Sequence, residues 1–288
     1  MKIAILGLGY VGLTAAACLA SQGHTIIGID PSQTKVDDVL AGRSPIVEPG
    51  VAELIAEARE RGLITAETSL VAEVASCELA IVCVGTPSAV DGSHNMGYIA
   101  EVSRQLAELM KAHPGRNLTV AYRSTVRPGT MEDLVQPIFD SVLGDAASSV
   151  ELVYYPEFLR ESTAVQDYFS PPKIVIGTKT GAPCETLDKI NVGIDAPVFY
   201  VRYPESEITK FVDNSFHAVK IVYANEIGRV CAQLGINAAE VHQIFVSDTK
   251  LNISPYYLRP GGAFGGHVFP RTFVLCSISR VVQVASRI

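Results

Sequence analysis

The sequence lacks the features that mark a nucleic-acid binder, a membrane protein or a disulfide-linked secreted domain. Its 23 Lys and Arg residues are outnumbered by 30 Asp and Glu residues, and the net charge of −7 argues against a basic face for nucleic acid. No run of about 18 apolar residues occurs, so no membrane span is expected. The six cysteines form no CxxC pair, which predicts free thiols in a reducing cytoplasm and no metal site.

The 288-residue chain does have a high apolar content, 48%, in short runs that alternate with helical patterns. The strand-like segments are KIAILGLG, HTIIGID, LAIVCVGT, LTVAYRST, ELVYYPE, KIVIG and APVFYV. Helices are predicted over residues 11–22, SQTKVDDVLAG, PGVAELIAEARERG, TSLVAEVASC and MEDLVQPIFDSVL. Apolar strands separated by helices predict an α/β fold, a Rossmann-type doubly wound parallel sheet covered on both faces.

The pattern changes near residue 203. A long helix is predicted over residues 205–234, followed by a shorter one in NAAEVHQIFVSD with Asn237 as its N-cap. We therefore expect a Rossmann domain over residues 1–202 and a helical central domain over residues 203–266. The apolar face of the long helix has no evident partner, which makes it a candidate homodimer surface.

The segment GLGYVG follows the first predicted strand and opens a helix. Gly7 permits a tight turn, Gly9 lets a pyrophosphate approach the backbone, and Gly12 lets helix and strand pack closely. Asp30 ends the second strand, where an acid accepts hydrogen bonds from a ribose 2′-hydroxyl and favours NAD over NADP. The agreement of strand, helix, spacing and acid predicts a dinucleotide site and NAD as the cofactor.

Three polar residues come directly after later strands, where the carboxyl ends of a parallel sheet line a crevice. They are Thr86 in CVGTPS, Thr125 in YRSTVRPGT and Glu157 in YYPEFLRES. The threonines are candidates for cofactor contact, and Glu157 is a candidate base for activating water. Ordinary Thr-containing turns and a solvated turn acid remain as the alternatives.

Polar residues recur along one face of the predicted long helix, although the residues around them are strongly apolar. Lys210, Asn214 and His217 share one face by their spacing, Asn225 falls on that face three turns on, and Lys220 lies near it. Two interpretations remain open: the polar stripe faces a ligand-binding cleft, or it is an ordinary solvent-exposed face of the helix. Further on, LNISPYYLRPGGAFGG offers Tyr256, Tyr257 and Arg259, whose hydroxyls and guanidinium suit a sugar or a phosphate unless the segment is a plain surface loop.

Together these motifs resemble the nucleotide-sugar 6-dehydrogenases, the UDP-glucose and GDP-mannose dehydrogenase family. The matching text spans residues 1 to about 266 and comprises IAILGLGYVG, GID, SPIVEPG, VCVGTPS, RSTVRPGT, PEFLREST, FVDNSFHAVKIVYANEIG and RPGGAFGG. SPIVEPG and KLNISPYYLRPGGAFGG are more similar to the GDP-mannose branch than to the UDP-glucose branch. The resemblance implies a four-electron oxidation of a sugar C6 hydroxyl to a carboxylate by two NAD, through a cysteine-bound thiohemiacetal and thioester.

The resemblance also implies roles for individual residues. The residues implied to contact NAD are Tyr10, Val11, Asp30, Lys35, Thr86 and Thr125. Those implied to bind the nucleotide sugar are Glu161, Lys210, Asn214, His217, Asn225, Tyr256, Tyr257 and Arg259. Catalytic roles fall to Thr125, to Glu157 as an acid assisting hydrolysis, and to Lys220 as the cation that stabilises an oxyanion.

The sequence departs from the family at its catalytic loop. The family reads Gly-Gly-Ser-Cys-(Phe/Leu)-Pro-Lys-Asp, whereas this chain reads GGHVFPRT, which places Val268 at the nucleophile, Arg271 at the lysine and Thr272 at the aspartate. Valine has no nucleophilic atom, so the covalent route of the second oxidation is lost. We therefore expect this chain to be inactive as a four-electron dehydrogenase.

A single missing nucleotide accounts for the departure. His-Val-Phe-Pro-Arg-Thr-Phe-Val-Leu can be encoded CAT GTC TTC CCA AGG ACG TTC GTG CTC, and one T placed before it gives Ser-Cys-Leu-Pro-Lys-Asp-Val-Arg-Ala. On this hypothesis residues 267–288 are out-of-frame text, and the family's second, nucleotide-binding Rossmann-like domain is missing because a stop codon follows the slip. The alternative is a divergent loop read in frame.

Two other functions fit part of the sequence. A two-electron NAD dehydrogenase of the hydroxyacid type shares the plan of a Rossmann domain followed by a long helix and needs no cysteine. It does not account for SPIVEPG or PEFLREST. A pseudoenzyme that binds NAD without turnover is the other alternative.

Overall fold

The structure is a computed structural model that describes residues 1–87, 95–255 and 258. The chain divides into two compact units, of which the first is Met1–Lys210 and the second begins at Phe211. No helix in the described ranges is long and apolar enough to cross a bilayer.

Strands and helices alternate through the first unit. The strands are β1 (Lys2–Leu6), β2 (Thr25–Ile29), β3 (Ile64–Glu67), β4 (Leu79–Val82), β5 (Leu118–Tyr122), β6 (Val150–Tyr154), β7 (Ile174–Thr178) and β8 (Val198–Arg202). The helices are α1 (Tyr10–Ser21), α2 (Gln33–Leu40), α3 (Val51–Glu60), α4 (Gly97–Ala112), α5 (Gln136–Leu143), α6 (Ala164–Phe169), α7 (Glu185–Ile190), α8 (Tyr203–Leu234) and α9 (Ala238–Ser247). The α/β architecture is thus confirmed.

The strands form one sheet in the order β3-β2-β1-β4-β5-β6-β7-β8. Strands β1 to β6 are parallel to one another, as predicted. The predicted parallel sheet has one exception, because β7 pairs antiparallel with β6, although it is parallel to β8. Strand order reverses at β1, which lies between β2 and β4, and a crevice opens at such a switch point beyond the carboxyl ends of the strands.

Apolar side chains cover both faces of the sheet. In β1, Ile3 and Ile5 belong to one buried cluster, and Ala4 and Leu6 belong to the other. This alternation follows from the two-residue period of a strand. Helix α1 is buried along nearly its whole length, because its small residues let it lie close to the sheet.

Several local predictions differ from the structure. TSLVAEVASC, predicted as a helix, forms only a short 3₁₀ turn at Ala72–Ser76. Strand β3 was not predicted, since it has four residues and buries only Ile64 and Ala66. Helices α4, α6 and α7 were also missed, although α4 buries Ile99, Val102, Leu106 and Met110 at helical spacing.

The second unit contains most of α8 and all of α9. The long helix begins at Tyr203, two residues before the predicted start. The predicted N-cap of α9 is confirmed, because Asn237 Oδ1 accepts a hydrogen bond from Ala239 N at 3.1 Å. The ring of Tyr223 on α8 packs 5.5 Å from that of Phe245 on α9.

Candidate functional site

The glycine turn joins β1 to α1 at the switch point of the sheet. Gly7 has φ +100, and a Cβ there would lie 2.6 Å from Cys83 O. A Cβ on Gly12 would lie 1.9 Å from Gly7 O, so α1 approaches the turn too closely for a side chain. A Cβ on Gly9 would meet no atom within 4 Å. Two glycines are therefore demanded by packing, whereas the space beside Gly9 is open to a ligand.

Asp30 lies at the carboxyl end of β2, buried at 5% exposure. Its Oδ2 accepts hydrogen bonds from Leu8 N at 2.8 Å and Lys35 Nζ at 3.0 Å, and its Oδ1 accepts one from Ser32 N at 3.0 Å. A carboxylate has about four acceptor positions, so one remains for a ligand hydroxyl. The side chain is thus fixed in place with acceptor capacity to spare.

A cleft of about 670 Å³ opens beside the glycine turn. It is lined by all the residues expected to contact NAD except Gly12, together with Glu157: Gly7, Gly9, Tyr10, Val11, Asp30, Lys35, Thr86 and Thr125. Gly12 is buried behind them in the packing of α1. The structure therefore brings together residues from five separate segments of the sequence.

These residues fit a dinucleotide. The first N–H groups of α1 have no acceptor within the helix, and they carry the positive end of its dipole beside the open position at Gly9. The carboxylate of Asp30 lies at the end of the neighbouring strand and lines the cleft, where ribose hydroxyls could donate hydrogen bonds to it.

The ends of β4 and β5 are tied together on the cleft wall. Thr86 Oγ1 donates a hydrogen bond to Thr125 O at 3.0 Å, and Ser124 Oγ donates one to Val84 O at 2.6 Å. Both threonines thus stabilise the strand ends and line the cleft. Thr86 and Thr125 therefore take part in the turns after the strands and also line the cleft, so the two alternatives do not exclude each other.

Glu157 is not a solvated turn acid. Its side chain is 11% exposed, and its Oε1 accepts a hydrogen bond from Lys210 Nζ at 2.8 Å. Lys210 Nζ also donates to Glu157 O at 2.9 Å, and Leu159 N donates to Oε2 at 2.7 Å. Two residues that were predicted separately, one as a base and one as a substrate ligand, therefore form a nearly buried ion pair.

Arg123 was not predicted as a site residue, although it lines the cleft beside Glu157. Its guanidinium carbon lies 4.7 Å from the centre of the Tyr155 ring, and its buried Nε has no hydrogen-bond partner. Burial alone lowers the pKa of Arg123, but Tyr155 and Cys83 hold it above the ordinary value. The available signal was its place in the YRST segment, where Arg123 lies two residues before Thr125.

Cys83 also lines the cleft, and burial raises the pKa of its thiol to about 12. Since the thiolate is the nucleophilic form, this cysteine is inert at neutral pH. It therefore does not replace the nucleophile that the family pattern leads one to expect at position 268.

The other predicted site residues are distributed as follows. Glu161 is exposed in the loop before α6. In the second unit, Asn214, His217, Lys220 and Asn225 are all exposed on α8, and Lys220 Nζ lies 4.9 Å from the centre of the Phe216 ring. Tyr256, Tyr257, Arg259 and Val268 lie outside the described residues. No cluster of three or more His, Cys, Asp or Glu side chains that could hold a metal occurs in the described part of the chain.

Known proteins similar to this chain share its domain organisation. The NAD binding domain model of the UDP-glucose/GDP-mannose dehydrogenase family matches residues 1–192, and the central domain model of that family matches residues 204–287. GDP-mannose 6-dehydrogenase of Azotobacter vinelandii is 42% identical over 272 residues, which are 94% of this chain and 62% of that protein. UDP-glucose 6-dehydrogenase of Haloferax volcanii is 34% identical, over 94% of this chain and 63% of its own length.

A solved structure agrees with these relatives. The ternary complex of GDP-mannose dehydrogenase from Pseudomonas aeruginosa superposes with a TM-score of 0.90 at 38% identity, covering 98% of this chain and 65% of that one. The chain thus spans less than two thirds of the length of these relatives. NAD is the cofactor of the matched N-terminal domain, as the glycine turn and Asp30 led us to expect. By its matched domains, its relatives and its fold, the chain belongs to the UDP-glucose/GDP-mannose dehydrogenase family.

Proposed function

We propose that this chain derives from an NAD-dependent 6-dehydrogenase that oxidises the C6 hydroxyl of GDP-mannose to the carboxylate of GDP-mannuronate. The observation that carries the proposal is the cleft in which Gly9, Asp30, Thr125 and Glu157 meet. The higher identity to a GDP-mannose enzyme, 42% against 34%, favours this sugar over UDP-glucose, which is the alternative substrate.

In this function the cleft holds NAD through backbone N–H groups of the protein and through the carboxylate of Asp30. The N–H groups of α1 bind the pyrophosphate beside Gly9, and Asp30 accepts the ribose hydroxyls, with Lys35 fixing its carboxylate. When held there, NAD would supply the hydride acceptor for the carbon that is oxidised. Thr86 and Thr125, which are joined by a hydrogen bond, line the cleft that would hold the cofactor.

The pair formed by Glu157 and Lys210 supplies charge for the hydrolytic step. One oxygen of Glu157 is bound to Lys210 and the other to Leu159 N, and each oxygen keeps a second lone pair. A carboxylate held in this way can accept a proton from an attacking water. Lys220, by analogy with the family, would stabilise the developing oxyanion.

The same proposal includes loss of the complete reaction in this chain. Val268 stands where the family has its cysteine, so no thiohemiacetal can form, and we attribute this to one nucleotide missing near codon 267. The alternative is a divergent segment read in frame. The extension of the central-domain match to residue 287 is the observation in its favour.

We further propose that the chain forms a homodimer through α8. Val212, Phe216 and Val219 are spaced by four and three residues, which places them on one side of the helix, and each is at least 39% exposed. A heptad-like apolar stripe of this kind is suited to pairing with a second copy of the same helix.

Two experiments test the function. Sequencing the DNA across codons 262–275 is expected to reveal a frame that one inserted nucleotide restores to Ser-Cys-Leu-Pro-Lys-Asp. The protein made after that insertion should form two NADH for each GDP-mannose, whereas the present chain should form no uronic acid. A nucleotide sequence that no single inserted nucleotide restores to Ser-Cys-Leu-Pro-Lys-Asp would end the frame hypothesis. Greater activity of the restored protein on UDP-glucose would overturn the choice of sugar.

A further inference from the structure

The segment SPIVEPG has no role in the site as described, yet it contains a buried acid. Glu48 is 6% exposed and lies in the loop before α3. An ionised carboxylate that deep in a protein needs hydrogen-bond donors to offset its lost hydration. The identity of those donors indicates what the segment does.

The carboxylate of Glu48 bridges two distant parts of the first unit. Its Oε1 accepts a hydrogen bond from Ala164 N at 2.8 Å, and its Oε2 accepts one from Ser162 N at 2.9 Å. The same Oε2 accepts a hydrogen bond from Tyr10 Oη at 2.7 Å. One side chain thus holds both the loop that precedes α6 and the first residue of α1.

Tyr10 connects this bridge to the cleft. It is the first residue of α1, directly after Gly9, and it is one of the residues that line the cleft. Burial and the hydrogen bond to Glu48 raise the pKa of Tyr10, so the phenol remains protonated and acts as the donor. Its oxygen also lies 3.2 Å from Arg160 O, which brings it against the same loop.

The loop over residues 160–164 is held in a strained conformation. Ser162 has φ 71. Among the described residues other than glycine, it is the only one with a positive φ. Such a conformation persists only where the surroundings enforce it. The loop is fixed at its start by Arg160 N, which donates to Asp167 Oδ2 at 2.9 Å, and at its end by Glu48. Between these two anchors lies Glu161, which the family resemblance assigns to the substrate.

We propose that Glu48 is a positioning residue that couples occupancy of the glycine turn, through Tyr10, to the order of the 160–164 loop. The inference rests on the proposed function in that the cofactor must occupy the cleft. A dinucleotide beside Gly9 restricts the Tyr10 side chain, Tyr10 holds Glu48, and Glu48 holds the backbone on either side of Glu161. Cofactor binding thereby sets the position of a substrate-binding acid before the nucleotide sugar enters.

Hydrogen–deuterium exchange of the peptide covering Ser162 and Ala164 tests the coupling, because those amides donate directly to Glu48. Exchange is measured in the purified chain with and without NAD, at a NAD concentration that saturates each variant by calorimetry. The variants are Glu48→Gln and Tyr10→Phe, with Glu53→Gln as the control, since Glu53 is an exposed acid of α3. NAD is expected to slow exchange of this peptide in the wild type and in the control.

Glu48→Gln leaves one acceptor oxygen for three donors, so exchange should rise about tenfold without NAD, as for the loss of a buried hydrogen bond. Tyr10→Phe keeps both backbone caps, so its exchange without NAD should stay within about twofold of wild type. The slowing caused by NAD should disappear in Tyr10→Phe. A role limited to holding the loop predicts the opposite, namely that NAD slows exchange in Tyr10→Phe as much as in the wild type, and this result would overturn the proposal.

The possible results distinguish failure of the proposed coupling from failure of the proposed function. If NAD does not bind the wild type, the proposed function fails. If NAD binds and the 160–164 amides exchange at the same rate with and without it, the coupling fails while the proposed function stands. If Glu48→Gln unfolds, the Tyr10→Phe result still decides.

Discussion

At the scale of single residues, we propose that Asp30 is the side chain through which the cleft distinguishes NAD from NADP. We expect Asp30→Asn to lower NAD affinity about tenfold, since a hydrogen bond to a charged acceptor contributes roughly 1.5–3 kcal/mol. The variant should also narrow the preference for NAD over NADP, because a 2′-phosphate no longer meets a negative charge. Calorimetric titration of both dinucleotides measures this. Asp37→Asn, an exposed acid on α2, is the control, and equal losses in the two variants would contradict the role of Asp30.

A second residue controls how the loop before α6 responds to pH. Hydrogen bonds from Arg160 hold the pKa of Asp167 below its ordinary value of 3.8. A depressed pKa contributes stability above the ordinary value, and this contribution is lost as the pH falls through the lower folded-state pKa. Asp167→Asn should therefore reduce the free energy of unfolding by about 1–2 kcal/mol at neutral pH, a modest amount because the arginine is largely exposed.

Urea unfolding across the acid range checks the sign of this prediction. The difference between wild type and Asp167→Asn should shrink as the pH falls below about 4. A difference that stays constant or grows toward low pH would contradict the account of Asp167.

The sequence revealed some of these residues and concealed others for a physical reason. Gly9 and Asp30 belong to a local pattern whose spacing reflects one strand, one turn and one helix. Glu48 contacts Ser162 and Ala164, which are 114 and 116 residues away in the chain. No local periodicity records a contact of that length, so the bridge becomes visible only in the folded protein.

At the scale of elements, the turn between β1 and α1 contains two glycines that packing requires, Gly7 and Gly12, and one, Gly9, that we propose is required for binding. Gly12→Ala places a Cβ 1.9 Å from Gly7 O and should destabilise the chain by about 3 kcal/mol. Gly9→Ala meets no atom within 4 Å and has φ −83, which alanine adopts readily, so its stability should match wild type. Thermal unfolding of the two variants measures the difference. Similar melting temperatures for Gly9→Ala and Gly12→Ala would contradict this division.

The relative direction of neighbouring strands was harder to predict from the sequence than the strands themselves. KIVIG and APVFYV were predicted as strands and form β7 and β8. An apolar run carries no information on whether it pairs parallel or antiparallel, so the reversal between β6 and β7 was not foreseen. The helices α6 and α7 have six residues each, too few for a clear helical period.

At the scale of the whole molecule, the proposed homodimer predicts a concentration-dependent mass. Val219→Glu places a charge in the apolar stripe of Val212, Phe216 and Val219, and should shift the chain to monomer. Gln233→Glu, at an exposed position of the same helix, is the control that should leave the mass unchanged. Sedimentation velocity measures both. A wild-type chain that stays monomeric at all concentrations would contradict the dimer.

We expect the cleft beside the glycine turn to bind NAD. Titration of NAD into the purified 288-residue chain and into Gly9→Ala, followed by calorimetry, tests it most directly. One saturable site per chain is expected in the wild type, and an affinity at least about tenfold weaker is expected in the variant, because its Cβ fills the space that the pyrophosphate needs. Absence of binding in the wild type, or equal binding in both proteins, would contradict it.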